Sequence, residues 1–244
     1  MATQTVLLWL AGWGMSNDLW HPIQARFPTC HHVTPDFTRA THPKDFMAVI
    51  EKEARAVGHG RLFVIGWSMG GMLAQRLAAS VPIHGMVLIS TGSRFVRPKE
   101  ERSKGWPKAS LLRMERGLIE NRERVWGDFF ESIATEKERG EQKDAFLASR
   151  VNEWSTEALL AGLAYLREED CGQLCGSLDV PVTIIHGKND TIWPFAAGAE
   201  LAEGQPQAEL VPIEDCGHAP PVFYPEIVTL AVQRMVESDG EGKA

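Results

Sequence analysis

The sequence opens without a positively charged stretch, so no signal peptide is expected of it. Met1-Ala2-Thr3-Gln4-Thr5 contains neither Lys nor Arg, and the apolar run that follows, Val6 to Leu10, is too short for the core of a signal peptide. No apolar run approaches the roughly 18 residues needed to span a bilayer as a helix. The cysteines are four, Cys30, Cys171, Cys175 and Cys216, irregularly placed, which suits free thiols in a reducing compartment better than a disulfide framework. Cys171 and Cys175 have C-x-x-x-C spacing but no partnered histidines, so no metal is expected, and nothing calls for a cofactor. Positive charge is also scarce: 25 Lys and Arg stand against 32 Asp and Glu, a formal charge of −7. That balance argues against a general nucleic-acid binder, which must neutralise phosphates with a basic surface. No repeat or low-complexity segment is visible. A soluble cytoplasmic monomer is the expectation.

Short apolar runs alternate with amphipathic stretches, the pattern of a parallel sheet covered by helices. Val6-Leu7-Leu8-Trp9-Leu10 predicts a buried strand and His32-Val33-Thr34 a weaker one. Leu62-Phe63-Val64-Ile65 and Met86-Val87-Leu88-Ile89 follow. Helices are predicted over 46–57, where Phe46, Val49, Ile50, Ala54 and Val57 recur at helical spacing, and over 72–79. The rhythm stops at Arg94 and resumes with strands at 182–185 and 209–213, a helix at 196–201 and a last helix at 225–236 before a frayed tail. The expected organisation is a sheet domain, 1–93 and 177–244, interrupted by a helical insertion, 94–176.

Gly66-Trp67-Ser68-Met69-Gly70 matches G-x-S-x-G and sits between a predicted strand and a predicted helix. A strand that reverses abruptly into a helix holds its serine in a strained conformation, with the hydroxyl at the helix N-terminus, and the flanking glycines relieve clashes. The bland alternative is a serine that merely caps the helix. Serine needs a base to take its proton and an acid to orient that base. Hydrolases with this nucleophile turn carry them in the order serine, acid, histidine. Asp190, beyond the strand ending at Ile185, and His218, beyond the strand ending at Ile213, fit that order. His186 competes with His218 but reads more simply as a satisfied histidine at a strand end. Asp215 and Glu214 lie too close to His218 in sequence to support it from a separate strand. Two N–H donors are needed for an oxyanion. Met69 supplies one, and the Ala11-Gly12-Trp13-Gly14 loop supplies the other, through Trp13.

By these motifs the sequence resembles the α/β-hydrolase superfamily over nearly its full length. It is most similar there to the pimeloyl-acyl-carrier-protein methyl ester esterases of biotin synthesis. The resemblance is carried by Gly12-Trp13-Gly14-Met15-Ser16 with Trp20, Gly66-Trp67-Ser68-Met69-Gly70-Gly71, Trp106-Pro107 and Ala161-Gly162-Leu163. Asp190-Thr191-Ile192-Trp193-Pro194 and Gly217-His218-Ala219-Pro220 complete it. It implies the α/β-hydrolase fold, a mostly parallel central sheet flanked by helices with a helical lid insertion. It also implies a serine carboxylesterase in which Ser68 attacks the methyl ester, His218 relays protons, Asp190 orients the imidazole, and the Trp13 and Met69 amides bind the oxyanion. Trp13, Trp67 and Phe129 would contact the substrate, and Arg124, Arg139 and Lys143 would hold an acidic acyl-carrier protein. The sequence departs from the family at Ala11, where histidine is usual, at Val33 to Phe37, where a Pro-Gly-x-Gly loop is missing, and at Asp128, where a lid arginine is expected.

Residues 94–125 hold ten basic and five acidic residues. That asymmetry suits steering of an acidic partner and equally suits an ordinary solvated helical face. Apolar positions in the insertion, including Leu111, Leu118, Trp126 and Phe129, fit packing of the insertion onto the sheet, and some could also line an acyl site. Three rivals stay open: a general short-chain carboxylesterase or thioesterase, a lyase like those of the menaquinone pathway, and a ligand receptor that keeps a slow triad. Ser68 itself argues against dehalogenases and epoxide hydrolases of this superfamily, whose nucleophile is aspartate.

Overall fold

The computed structural model describes residues 4–142, 144, 146, 152–174 and 176–241. Six parallel strands form one sheet: β1 (Thr5–Leu10), β2 (His31–Val33), β3 (Arg61–Trp67), β4 (Gly85–Ile89), β5 (Val182–Gly187) and β6 (Ala208–Ile213), in spatial order β2-β1-β3-β4-β5-β6. The register runs Leu7 beside Phe63, Val64 beside Met86, Leu88 beside Ile184 and Ile184 beside Leu210. The four inner strands are almost continuously apolar because helices cover both faces of a parallel sheet. β3 and β4 are buried nearly end to end, whereas the edge strand β6 buries only Ile213 fully.

The flanking helices include α1 (His21–Gln24), α2 (Pro43–Ala56) and α3 (Met69–Ala78). α2 starts earlier than its apolar period suggests because Pro43 occupies the first turn and His42 and Asp45 form a reciprocal cap. It buries Phe46, Ile50 and Ala54. α3 is apolar nearly all round and packs on β1, β3 and β4.

Between β4 and β5 the described residues form no strand, only helical segments joined by irregular chain and the single bridge of Val96 with Trp106. The helices are α4 (Lys108–Ser132), α5 (Glu136–Glu141) and α6 (Thr156–Glu168). α4 is broken at Asn121 (φ −155°, ψ 84°), whose Oδ1 accepts from the Arg124 amide and so caps the second half. α6 packs on both α4 and α2. After β5 come α7 (Phe195–Glu203), α8 (Pro220–Phe223) and α9 (Pro225–Glu241). α9 continues past 236, where a frayed tail was expected. Among the described residues no helix is long and apolar enough to cross a membrane.

Candidate active site

Parallel strands deliver all their C-terminal ends to one edge of the sheet, and the chemically suggestive residues gather there. Ser68 follows β3 directly. Its backbone (φ 56°, ψ −117°) lies in a region L-residues rarely occupy, the strain expected of a strand forced straight into a helix. The turn is possible because Gly66 and Gly70 lack side chains: a Cβ on Gly70 would overlap the Leu10 carbonyl, and one on Gly66 the Gly70 carbonyl. Thr91, just past β4, donates its hydroxyl to the Ser68 carbonyl at 2.9 Å, and the Ser68 amide donates to Ile89 O at 2.9 Å. Ser68 makes no side-chain capping bond to α3, which removes the reading of it as a helix cap.

The hydroxyl of Ser68 donates to Nε2 of His218 at 2.9 Å, and Nδ1–H of His218 donates to Oδ2 of Asp190 at 2.8 Å. All three side chains are buried. Asp190 comes off β5 and His218 off β6, so three separate strand ends converge. The other oxygen of Asp190 accepts the amides of Ile192 (2.9 Å) and Trp193 (2.8 Å). Burial alone would raise the Asp190 carboxyl. The charge of His218 and hydrogen bonds from His186 and His218 outweigh it, and the group is held down at about 2. A carboxylate that stays ionised favours the imidazole tautomer with its proton on Nδ1 and its lone pair toward serine.

None of the competitors named from sequence is the histidine or acid on the line to Ser68, which runs through His218 to Asp190. His186 is fully buried on β5, where its Nε2–H donates to Trp193 O at 2.7 Å and lies 3.4 Å from Asp190 Oδ2. Asp215 pairs with Lys137 and Glu214 with Lys188 at the surface. Gly12 brings the loop of Trp13 against the serine, since a Cβ there would lie 3.4 Å from Ser68 Cβ. Met69 opens α3 immediately after the nucleophile.

A narrow apolar slot of about 10 Å³ adjoins Ser68, walled by Trp13, Phe95, Trp106, Met114, Phe129 and neighbours. A larger cavity of about 480 Å³ lies on the outer side of Trp106, Met114 and Phe129, with Arg113, Arg124, Glu120 and Asp128 on its rim. Phe129 stands edge-on to Trp13 with ring centroids 4.9 Å apart. Trp67 does not line the slot; its buried indole donates to the His218 carbonyl at 2.7 Å.

The basic residues expected to meet a partner divide. Arg124 is exposed, 3.8 Å from Asp128. Arg139 donates to the carbonyls of Glu131 (2.6 Å) and Ala134 (2.7 Å), closing the end of α4. Lys143, like Cys175, lies outside the described residues. Elsewhere in the basic stretch, Arg97 is buried against Glu101 and Glu200, and Lys104 also reaches Glu200 at 2.7 Å. Part of the local positive charge is therefore neutralised within the fold.

Sequence reasoning missed Thr91, the second histidine on Asp190, and Glu138, which accepts from the Gly217 amide beside His218. The only signal for Glu138 was the Thr135-x-x-Glu138 spacing of a helix cap.

A parallel sheet with a strained serine turn and a serine–histidine–carboxylate line defines a hydrolase of the α/β class. The chain belongs to the alpha/beta hydrolase family, whose model matches residues 7–229. It is similar to the pimeloyl-[acyl-carrier protein] methyl ester esterase of Pectobacterium carotovorum, 30% identical over 93% of this chain and 92% of the relative. The protein of the same name from Nitrosomonas europaea is 32% identical over 68% of each chain. Among solved structures, a thermophilic esterase from Thermogutta terrifontis superposes with a TM-score of 0.81 at 20% identity, over 97% of this chain and 91% of that one.

Proposed function

We propose that the protein is a serine carboxylesterase that hydrolyses the methyl ester of a pimeloyl chain carried on an acyl-carrier protein. The observation that carries the chemistry is the continuous hydrogen-bonded line from Ser68 Oγ through His218 to Asp190. Ser68 Oγ bonds to the ester carbonyl carbon while its proton passes to His218 Nε2. The carbonyl oxygen takes negative charge and is met by the amides of Met69 and Trp13. His218 then gives the proton to the departing alkoxide, methanol leaves, and an acyl-Ser68 ester remains. Water, deprotonated by the same imidazole, attacks that ester, and the free acid departs as Ser68 regains its proton.

The substrate assignment is supported by relatives bearing that name, similar over most of the chain. The helical segments of residues 94–176 act as a lid in this reading. The slot beside Ser68 is too small for a pimeloyl chain as it stands, so Phe129, Met114 and Trp106 must part to join it to the outer cavity. Of the two described basic residues expected to hold the carrier, Arg124 is the exposed one, and its placement leaves it available to an acidic surface. The same closed slot also favours a second reading, a general short-chain esterase needing no such opening.

Hydrolysis of pimeloyl-carrier-protein methyl ester beside a short free methyl ester separates them. The carrier-linked ester is expected to be preferred by at least tenfold in kcat/KM, with part of the preference lost in Arg124→Glu. Equal rates on both esters, untouched by the charge reversal, would sink the carrier reading and leave the short-chain esterase.

A further inference from the structure

Glu138 is an acid with no part in the reaction just described, yet it is only 2% exposed. It stands on α5, a short helix of the insertion far in sequence from His218. Its local duty accounts for part of its geometry. The Thr135 hydroxyl accepts from the Glu138 amide at 3.1 Å, and Glu138 Oε2 accepts from the Thr135 amide at 2.7 Å, the reciprocal cap of α5. Such a cap works equally well at the surface and does not require burial of the carboxylate.

The remaining geometry points to the histidine loop. The Gly217 amide donates to both oxygens of Glu138, at 3.1 and 3.2 Å. One residue on, the His218 amide donates to Ile133 O at 2.7 Å, in the turn just before α5. The two successive amides that precede and begin His218 are therefore held by the insertion and not by the sheet. Gly217 is fitted to this contact: a Cβ there would lie 2.8 Å from Ile133 O and 3.0 Å from Glu138 Oε2. The loop begins at Asp215, which has a positive φ of 56°, so its path from β6 is a constrained one. The ionisable groups around it include Cys216 in the loop, Asp190 and, across it, His186, Tyr224, and the surface pair of Lys137 with Asp215. Burial and the neighbouring Glu138 carboxylate push the Cys216 thiol up, which keeps it an unreactive neighbour.

We propose that Glu138 is a positioning residue for His218, its carboxylate fixing the Gly217–His218 backbone so that the imidazole keeps its line to Ser68. This rests on the reading of His218 as the general base. It makes the insertion part of the catalytic geometry as well as a cover, because movement of α5 and of the turn before it is transmitted to the base through two hydrogen-bonded amides. A glutamine at this position keeps the length but offers one acceptor oxygen to two amide donors, and alanine offers none.

The test is steady-state hydrolysis of p-nitrophenyl acetate by wild type, Glu138→Gln, Glu138→Ala and His218→Ala, at a temperature well below each measured Tm. The expected result is a kcat lowered at least tenfold in Glu138→Ala and by less in Glu138→Gln, with KM within threefold of wild type in both. Folded Glu138 variants with wild-type kcat, or a loss confined to KM, would overturn the proposal and leave Glu138 a helix cap. Should Glu138→Ala fail to fold, the nearly isosteric Glu138→Gln decides alone, its kcat falling at least threefold or the proposal failing. Full activity in His218→Ala would instead overturn the base assignment on which the proposal stands.

Discussion

The indole of Trp67 donates its Nε1–H to the carbonyl oxygen of His218 at 2.7 Å, so the residue before Ser68 is bonded to the residue Ser68 faces. This bond spans 151 positions of sequence and locks the nucleophile turn to the loop of the base. Removing the donor would leave a buried carbonyl unpaired, a cost of about 1–3 kcal/mol. Trp67→Phe is therefore expected to lower Tm and to reduce kcat on p-nitrophenyl acetate by about tenfold, the equivalent of ~1.4 kcal/mol in the transition state. An unchanged kcat would mean that the imidazole is positioned without this bond.

Asp190 accepts two backbone amides on one oxygen and His218 on the other. Asp190→Asn keeps the shape, but its amide group turned toward His218 would meet Nδ1–H and force the proton onto Nε2, where it blocks the base. A loss in kcat of about 10⁴ is expected, with the fold retained by circular dichroism. Ser68→Ala should lose at least as much. Retention of wild-type turnover by either variant would rule out the line from Ser68 to Asp190 as the catalytic one.

The same carboxylate should be visible in stability against pH. Its folded pKa, about 2, lies below the ordinary 3.8, so ionised Asp190 stabilises the fold fully above the ordinary carboxylate range. That contribution, on the order of 2 kcal/mol, is lost as pH falls through the folded value, because the unfolded chain takes up the proton first. Urea unfolding at pH 6 and pH 3 should show wild type losing about 1 kcal/mol more than Asp190→Asn over that interval. Equal losses in the two proteins would show that Asp190 is not held ionised by its partners.

Much of this architecture was legible in the sequence because its signals are local. Val6 to Leu10 and Met86 to Ile89 are apolar runs that a doubly covered parallel strand requires, and they occur where predicted. Gly66, Ser68 and Gly70 announce a turn whose steric needs lie within five residues. The acid and base could be chosen because each follows a strand directly. What was not legible depends on contacts between distant segments. Nothing near Glu138 signals that its carboxylate meets Gly217, and nothing near Thr91 signals that its hydroxyl holds the Ser68 carbonyl. Arg139 illustrates the opposite difficulty. The family resemblance gave it a place in holding a partner, and the fold also sets its guanidinium against the carbonyls of Glu131 and Ala134 at the end of α4. A helix C-terminus attracts a cation for its own reasons, and sequence alone cannot separate that use from recognition.

Phe129 forms part of the wall between the slot at Ser68 and the outer cavity, and it also leans on Trp13. Phe129→Ala should therefore have two effects of opposite sense. Loss of the edge-on contact loosens the Trp13 loop, lowering the rate on an acetyl ester and costing about 1–3 kcal/mol in stability for a half-buried ring. Removal of the ring also opens the slot toward the cavity and gives a longer acyl chain apolar space to fill. The ratio of kcat/KM for p-nitrophenyl hexanoate over acetate should rise at least threefold, since each buried methylene is worth about 0.8 kcal/mol. A ratio that stays at the wild-type value would show that the acyl chain does not pass Phe129, and the route between the two spaces would have to be sought at Trp106 or Met114 instead.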